Sequence, residues 1–124
     1  MLRLLLDEHL SDDIAVGVRA EVTGVEIVSL REWQEGVYVG APDDVLLRAA
    51  YTQGTTLVTF DQRTIMPVLR DWGERGIAHG GVVFGSRYTF ATNDFGGIGH
   101  ALTRLWIEQG QLDWTNRVVY LRKS

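Results

Sequence analysis

No cysteine occurs in the chain, so disulfides and thiolate-ligated metal centres are excluded, and a reducing, cytoplasmic location is the compatible expectation. No apolar run approaches the roughly 18 to 20 residues that cross a bilayer, and no membrane role is expected. Residues 1–6 are too few for the apolar region of a secretory leader, and they meet acidic residues at once without a small-residue cleavage site. Lysine is almost absent. Eleven of the twelve basic residues are arginines, scattered from Arg3 to Arg122, and Lys123 is the only lysine. With a net charge of -4 the protein lacks the positive coat of a non-specific nucleic-acid binder, although a local basic rim stays open.

What is present is the composition of an ordinary globular domain: 124 residues, 45% hydrophobic and 23% charged. One domain over residues 1–124, with one core, is expected. Residues 4–6 read as a buried strand that stops at Asp7. Ser11 then caps a helix with Asp12 and Asp13 in its first turn and Ile14, Ala15 and Val18 on one face. Residues 25–30 supply a second strand, completing a βαβ unit whose strands are parallel. Residues 31–40 form a mixed loop with room for a short helix. Pro42 opens a helix that buries Leu46, Leu47 and Ala50, and Gly54 ends it.

Residues 56–60 make the third strand, and Ile65, Val68, Leu69 and Trp72 recur at helical spacing after it. Residues 82–84 read as a fourth strand. Ile98, Leu102, Leu105 and Trp106 form the stripe of the last long helix, and residues 118–121 supply the last strand. Five strands alternating with helices predict a three-layer α/β/α sandwich around a mostly parallel five-stranded sheet, with right-handed crossovers.

In open α/β sheets, ligands sit beyond the carboxyl ends of the strands. Asp7 and Asp61 both stand there, and Asp43, with Asp44 beside it, opens a helix that also follows a strand. Three converging carboxylates repel one another unless a cation or proton neutralises them, and hard oxygen donors suit Mg²⁺ or Mn²⁺. Asp94 is a further candidate ligand. Taken singly, each acid also has a plainer role: Asp7 and Asp61 could cap the turns that follow them, and Asp43 and Asp44 favour a helix dipole. Glu8 alternates away from Asp7 if the strand continues, and His9 is either a loop residue bonded to backbone or a partner of the acids.

Three strings carry a family resemblance: Asp7-Glu8-His9-Leu10-Ser11 after an apolar strand, Gly40-Ala41-Pro42-Asp43-Asp44 opening a helix, and Leu57-Val58-Thr59-Phe60-Asp61. Their order and spacing, over roughly residues 2–87, resemble the small bacterial PIN-like proteins related to VapC-type toxins and Mut7-C domains. The resemblance implies a PIN-like fold and a Mg²⁺- or Mn²⁺-dependent ribonuclease acting on single-stranded RNA. It further implies the toxin of a toxin-antitoxin pair, with a cognate antitoxin as partner and a homodimer as the assembly. By position it implies Asp7, Asp43 and Asp61 as the catalytic, metal-binding acids. Arg87 approximately matches an arginine of the relatives, and Arg63 and Arg87 are the candidates for holding a substrate phosphate. The pattern departs after Asp61, where Gln62, Arg63 and Thr64 stand in place of the second aspartate and phenylalanine usual in that family.

Two other readings stay open. A receiver-like phosphoacceptor domain has a similar length, alternating βα units and an acidic pair after strand one, but it needs a lysine after strand five, and Lys123 is at the extreme end. A catalytically inactive PIN-like module that binds RNA or protein is the other.

Overall fold

The computed structural model describes residues 1–123. Strand β1 (Leu4–Leu6) leads into helix α1 (Asp12–Glu21), where the Ser11 hydroxyl accepts the Asp13 N–H at 3.1 Å and satisfies one of the free donors of the first turn. Strand β2 (Ile27–Ser29) follows, and the mixed segment after it contains a short 3-10 turn at Trp33–Gly36. Helix α2 (Asp43–Thr52), strand β3 (Thr56–Thr59), helix α3 (Gln62–Arg75), strand β4 (Val82–Phe84), helix α4 (Phe95–Gln109) and strand β5 (Val118–Tyr120) follow in that order.

All five strands are parallel, in the order β2-β1-β3-β4-β5. A sheet covered on both faces needs apolar side chains at successive positions, which is why β1 reads as an unbroken leucine run rather than an alternating one. Leu4 and Leu6 pack beneath α1 and α4 with Val58 and Val83. Leu5 points the other way, into the layer formed by α2 and α3 with Leu57, Val82 and Phe84. The predicted three-layer α/β/α sandwich is the observed one.

The last crossover departs from expectation. The connections β1-α1-β2, β2-α2-β3 and β3-α3-β4 share one hand, because each reversal of direction across the sheet is matched by a change of face. The β4-α4-β5 connection continues in the direction of its predecessor but places α4 on the α1 face, so its hand is opposite. Coverage explains the exception. A common hand would put three helices on one face and leave α1 alone over Leu4, Leu6, Val58 and Val83. With α4 beside α1, Ile98, Ala101, Leu102 and Leu105 close that face against Ile14 and Val18.

Away from the carboxyl edge, His79 joins α3 to β4. It is buried, its Nδ1 accepts the Gly81 N–H at 3.0 Å, and its backbone exchanges hydrogen bonds with Asn116. Gly81 has φ +96 and lies so close to the Trp114 carbonyl that a side chain there would collide with it. Burial pushes the His79 imidazole below its ordinary value of 6.5. Between the lowered folded pKa and 6.5 the unfolded chain binds the extra proton, so stability falls as pH drops through 6.5 toward the folded value. Replacing His79 with Asn keeps an acceptor for the Gly81 amide but cannot titrate. Urea denaturation at a series of pH values is expected to show the wild type losing stability below 6.5 and His79→Asn losing less; parallel curves would rule out this linkage.

Candidate functional site

The register of β1 against β3 places the two strand-end acids together. Leu6 pairs with Val58, and the Asp7 N–H continues the ladder to the Val58 carbonyl at 3.0 Å, so Asp7 emerges beside Thr59. The Thr59 hydroxyl, fully buried, donates to Asp7 Oδ2 at 2.6 Å and accepts the Asp61 N–H at 3.0 Å. One side chain therefore holds the carboxylate of one acid and the backbone of the other. The chain moves from β1 to β2 in one direction and reaches β3 on the other side of β1, so these residues occupy the topological switch point of the sheet.

Asp61 is also the N-cap of α3. Its Oδ1 accepts the Thr64 N–H at 3.1 Å and its Oδ2 the Thr64 hydroxyl at 2.7 Å. The Thr64 hydroxyl, followed by the Thr64 and Arg63 amides and the charge of His9, holds the Asp61 carboxyl below its usual range against the opposing effect of burial. The plainer reading of Asp61 as a helix cap is thus correct as far as it goes. It does not exhaust the residue, because a carboxylate has about four lone-pair directions.

Around these acids lies a cleft of about 540 Å³ lined by residues that follow β1, β3 and β4. Asp7, His9, Asp61, Arg63 and Arg87 all face it, with Phe60 on its wall. A side chain at Gly85 would collide with the Phe60 ring, and the Gly85 carbonyl accepts from Gln62 Nε2 at 3.2 Å, so this glycine permits the close approach of the two loops.

The β1-α1 loop is shaped by a residue that sequence reasoning passed over. Arg31 donates to the carbonyls of Glu8 and Leu10, the latter at 2.9 Å, and pairs with Asp12 Oδ1 at 2.8 Å. With the Leu10 N–H bonded to the Asp7 carbonyl at 3.0 Å, residues 7–10 form a turn and do not extend the strand. The condition under which Glu8 would alternate away from Asp7, a continuing strand, is therefore not met. Among the described residues, Asp7, Glu8 and His9 are the one set of three acidic or imidazole groups with ligand atoms all within 4.8 Å of one another. Glu8 Oε1 additionally accepts the Gly40 N–H at 3.1 Å, which ties the loop before α2 to this turn.

The other candidate acids are not among these lining residues. Asp43 occupies the first turn of α2 and belongs neither to that set nor to the lining of the cleft. Asp44 faces a separate groove with Gln34, Tyr38 and Arg48. Asp94 caps α4, its Oδ1 accepting the Gly97 N–H at 3.0 Å. The helix-dipole role describes Asp43 and Asp44 where they stand.

Compared with models of protein families, with curated proteins and with solved structures, the chain matches none. Among the described residues, no helix is long and apolar enough to cross a membrane.

Thr59→Val is nearly isosteric but removes the hydroxyl that serves both acids. It is expected to lower unfolding free energy by about 1 to 3 kcal/mol in urea titration, because the Asp61 N–H and one side of the Asp7 carboxylate lose their partner. An unchanged midpoint would show that water replaces the hydroxyl without loss.

Proposed function

We propose that this protein is a metal-dependent phosphodiesterase that cuts single-stranded RNA, with the PIN-like fold its sequence resembles. The observation that carries the reading is the pairing of Asp7 and Asp61 across the switch point, through Thr59, in a cleft that also presents Arg63 and Arg87. Opposite charges in one cleft suit a substrate that is an anion and a cofactor that is a cation.

The donor set fits Mg²⁺ or Mn²⁺. Asp7, Glu8 and Asp61 offer hard carboxylate oxygens, and the exposed His9 adds a nitrogen that Mn²⁺ accepts. When bound, such an ion supplies Lewis-acid polarisation of the phosphate and a more acidic water. The chain's own contribution is positional. Thr59 fixes the Asp7 carboxylate, the α3 cap fixes Asp61, and the guanidinium forks of Arg63 and Arg87 would hold phosphate oxygens. Asp43 keeps a place in the ligand set only through the family resemblance. A cytoplasmic toxin with a cognate antitoxin, and a homodimer, belong to the same reading.

The sheet order and the position of Asp61 after β3 also favour a receiver-like phosphoacceptor. Lys123, however, lines a groove between α4 and β5, apart from the cleft that holds Asp61. Aspartyl phosphorylation at Asp61 by acetyl phosphate would establish that alternative. Mg²⁺ binding without cleavage of any RNA would instead establish the inactive RNA- or protein-binding module.

The decisive measurement is cleavage of single-stranded RNA with Mg²⁺, with Mn²⁺ and with chelator. Activity is expected only with metal, and Asp7→Asn and Asp61→Asn should each reduce it by roughly 100-fold or more, since ion binding supplies several kcal/mol of charge stabilisation. The asparagine at position 61 retains a good N-cap, so its loss of activity would not be a loss of folding. Comparing Glu8→Gln with Asp43→Asn then decides which acid completes the set. Equal cutting by wild type and Asp7→Asn would sink the assignment.

A further inference from the structure

We propose that Tyr88 is a base-stacking platform that gives the cleft its preference for single strands; this rests on the nuclease reading above. Tyr88 is 103% exposed, so neither face of its ring is covered, yet it lines the cleft together with Asp7, Asp61, Arg63 and Arg87. A single exposed aromatic is ordinary in itself. What distinguishes Tyr88 is how its backbone is held. The Ser86 carbonyl accepts the N–H groups of Thr89 at 3.0 Å and Phe90 at 2.9 Å, and Ser86 Oγ accepts the Tyr88 N–H at 3.2 Å. Phe90 is 1% exposed and plugs the end of this turn into the core beneath α1 and α4. The ring is thus presented to solvent from a backbone pinned on both sides, at the mouth of the cleft.

The neighbouring groups define the ligand. Arg63 and Arg87 offer planar forks to phosphate oxygens but do not distinguish a paired strand from an unpaired one. An uncovered aromatic beside them accepts the π face of an unstacked base, whereas a duplex keeps its bases inside its own stack. At a net charge of -4 the protein gains little from long-range attraction to a polyanion, so contact with the base carries a substantial share of the affinity. The substrate class is therefore a single-stranded nucleic acid with a base laid on Tyr88 beside the phosphate held at the arginines. Tyr88 is a specificity residue, distinct from the acids.

Fluorescence anisotropy tests this with three labelled probes: a short oligouridylate, an abasic ribose-phosphate strand of equal length and a short RNA duplex. Ca²⁺ replaces Mg²⁺ to hold off cleavage. The wild type is expected to bind the base-bearing strand more tightly than the other two. Tyr88→Ala should weaken that binding by roughly 5- to 150-fold and leave the abasic strand unaffected, while Tyr88→Trp restores it. If Tyr88→Ala binds the oligouridylate as tightly as the wild type does, the stacking role is overturned and the nuclease reading stands. If the wild type binds none of the probes, both fall. A wild type that binds the abasic strand as well as the oligouridylate also overturns the stacking role, since the phosphates alone would then account for the affinity.

Discussion

The parallel pairing of β1 with β3 is the constraint on which the rest of the site depends. Setting Leu6 beside Val58 puts Asp7 beside Thr59, and the Thr59 hydroxyl then serves the Asp7 carboxylate and the Asp61 amide at once. A slip of one residue would turn Thr59 to the other face and bury polar groups among leucines. Because both sheet faces are covered by helices, such a slip has no solvent to fall back on. The packing that stabilises the sheet is therefore also what aligns the acids.

Around that fixed pair, the loops supply the chemistry. The β1-α1 turn is shaped by Arg31, the β3-α3 turn by the Asp61 cap, and the β4-α4 loop by Ser86 and the buried Phe90. Each loop is anchored by backbone hydrogen bonds and leaves side chains free over the cleft. Carboxylates, arginines and an uncovered aromatic line it together. A rigid scaffold with function carried on its loops accounts for this division.

Much of the fold was legible in the residues. Apolar runs such as residues 4–6 and 82–84, with helical stripes such as Ile65, Leu69 and Trp72, mark buried strands and amphipathic helices because burial imposes those periods locally. The shared edge of Asp7 and Asp61 followed from strand order alone. Less legible was the side chosen by α4, since its stripe of Ile98, Leu102 and Leu105 would suit either face; what decided it was how much of each face remained uncovered. The direction of Glu8 was not legible, because period-two alternation holds only while the strand continues, and a hydrogen bond from the Leu10 N–H to the Asp7 carbonyl closes a turn there. Arg31 left no local signal, as its partners stand 19 to 23 residues away.

By itself the sequence determined the alternating elements, the parallel sheet and the two strand-end acids, because these depend on short-range periodicity and on which residues end a strand. Tertiary structure alone decided that Thr59 joins those acids, that Glu8 and His9 gather with Asp7, and that Tyr88 lies open over the cleft. Those outcomes depend on contacts between segments distant in the chain, and the polar atoms in them are satisfied only when the whole sheet is in place.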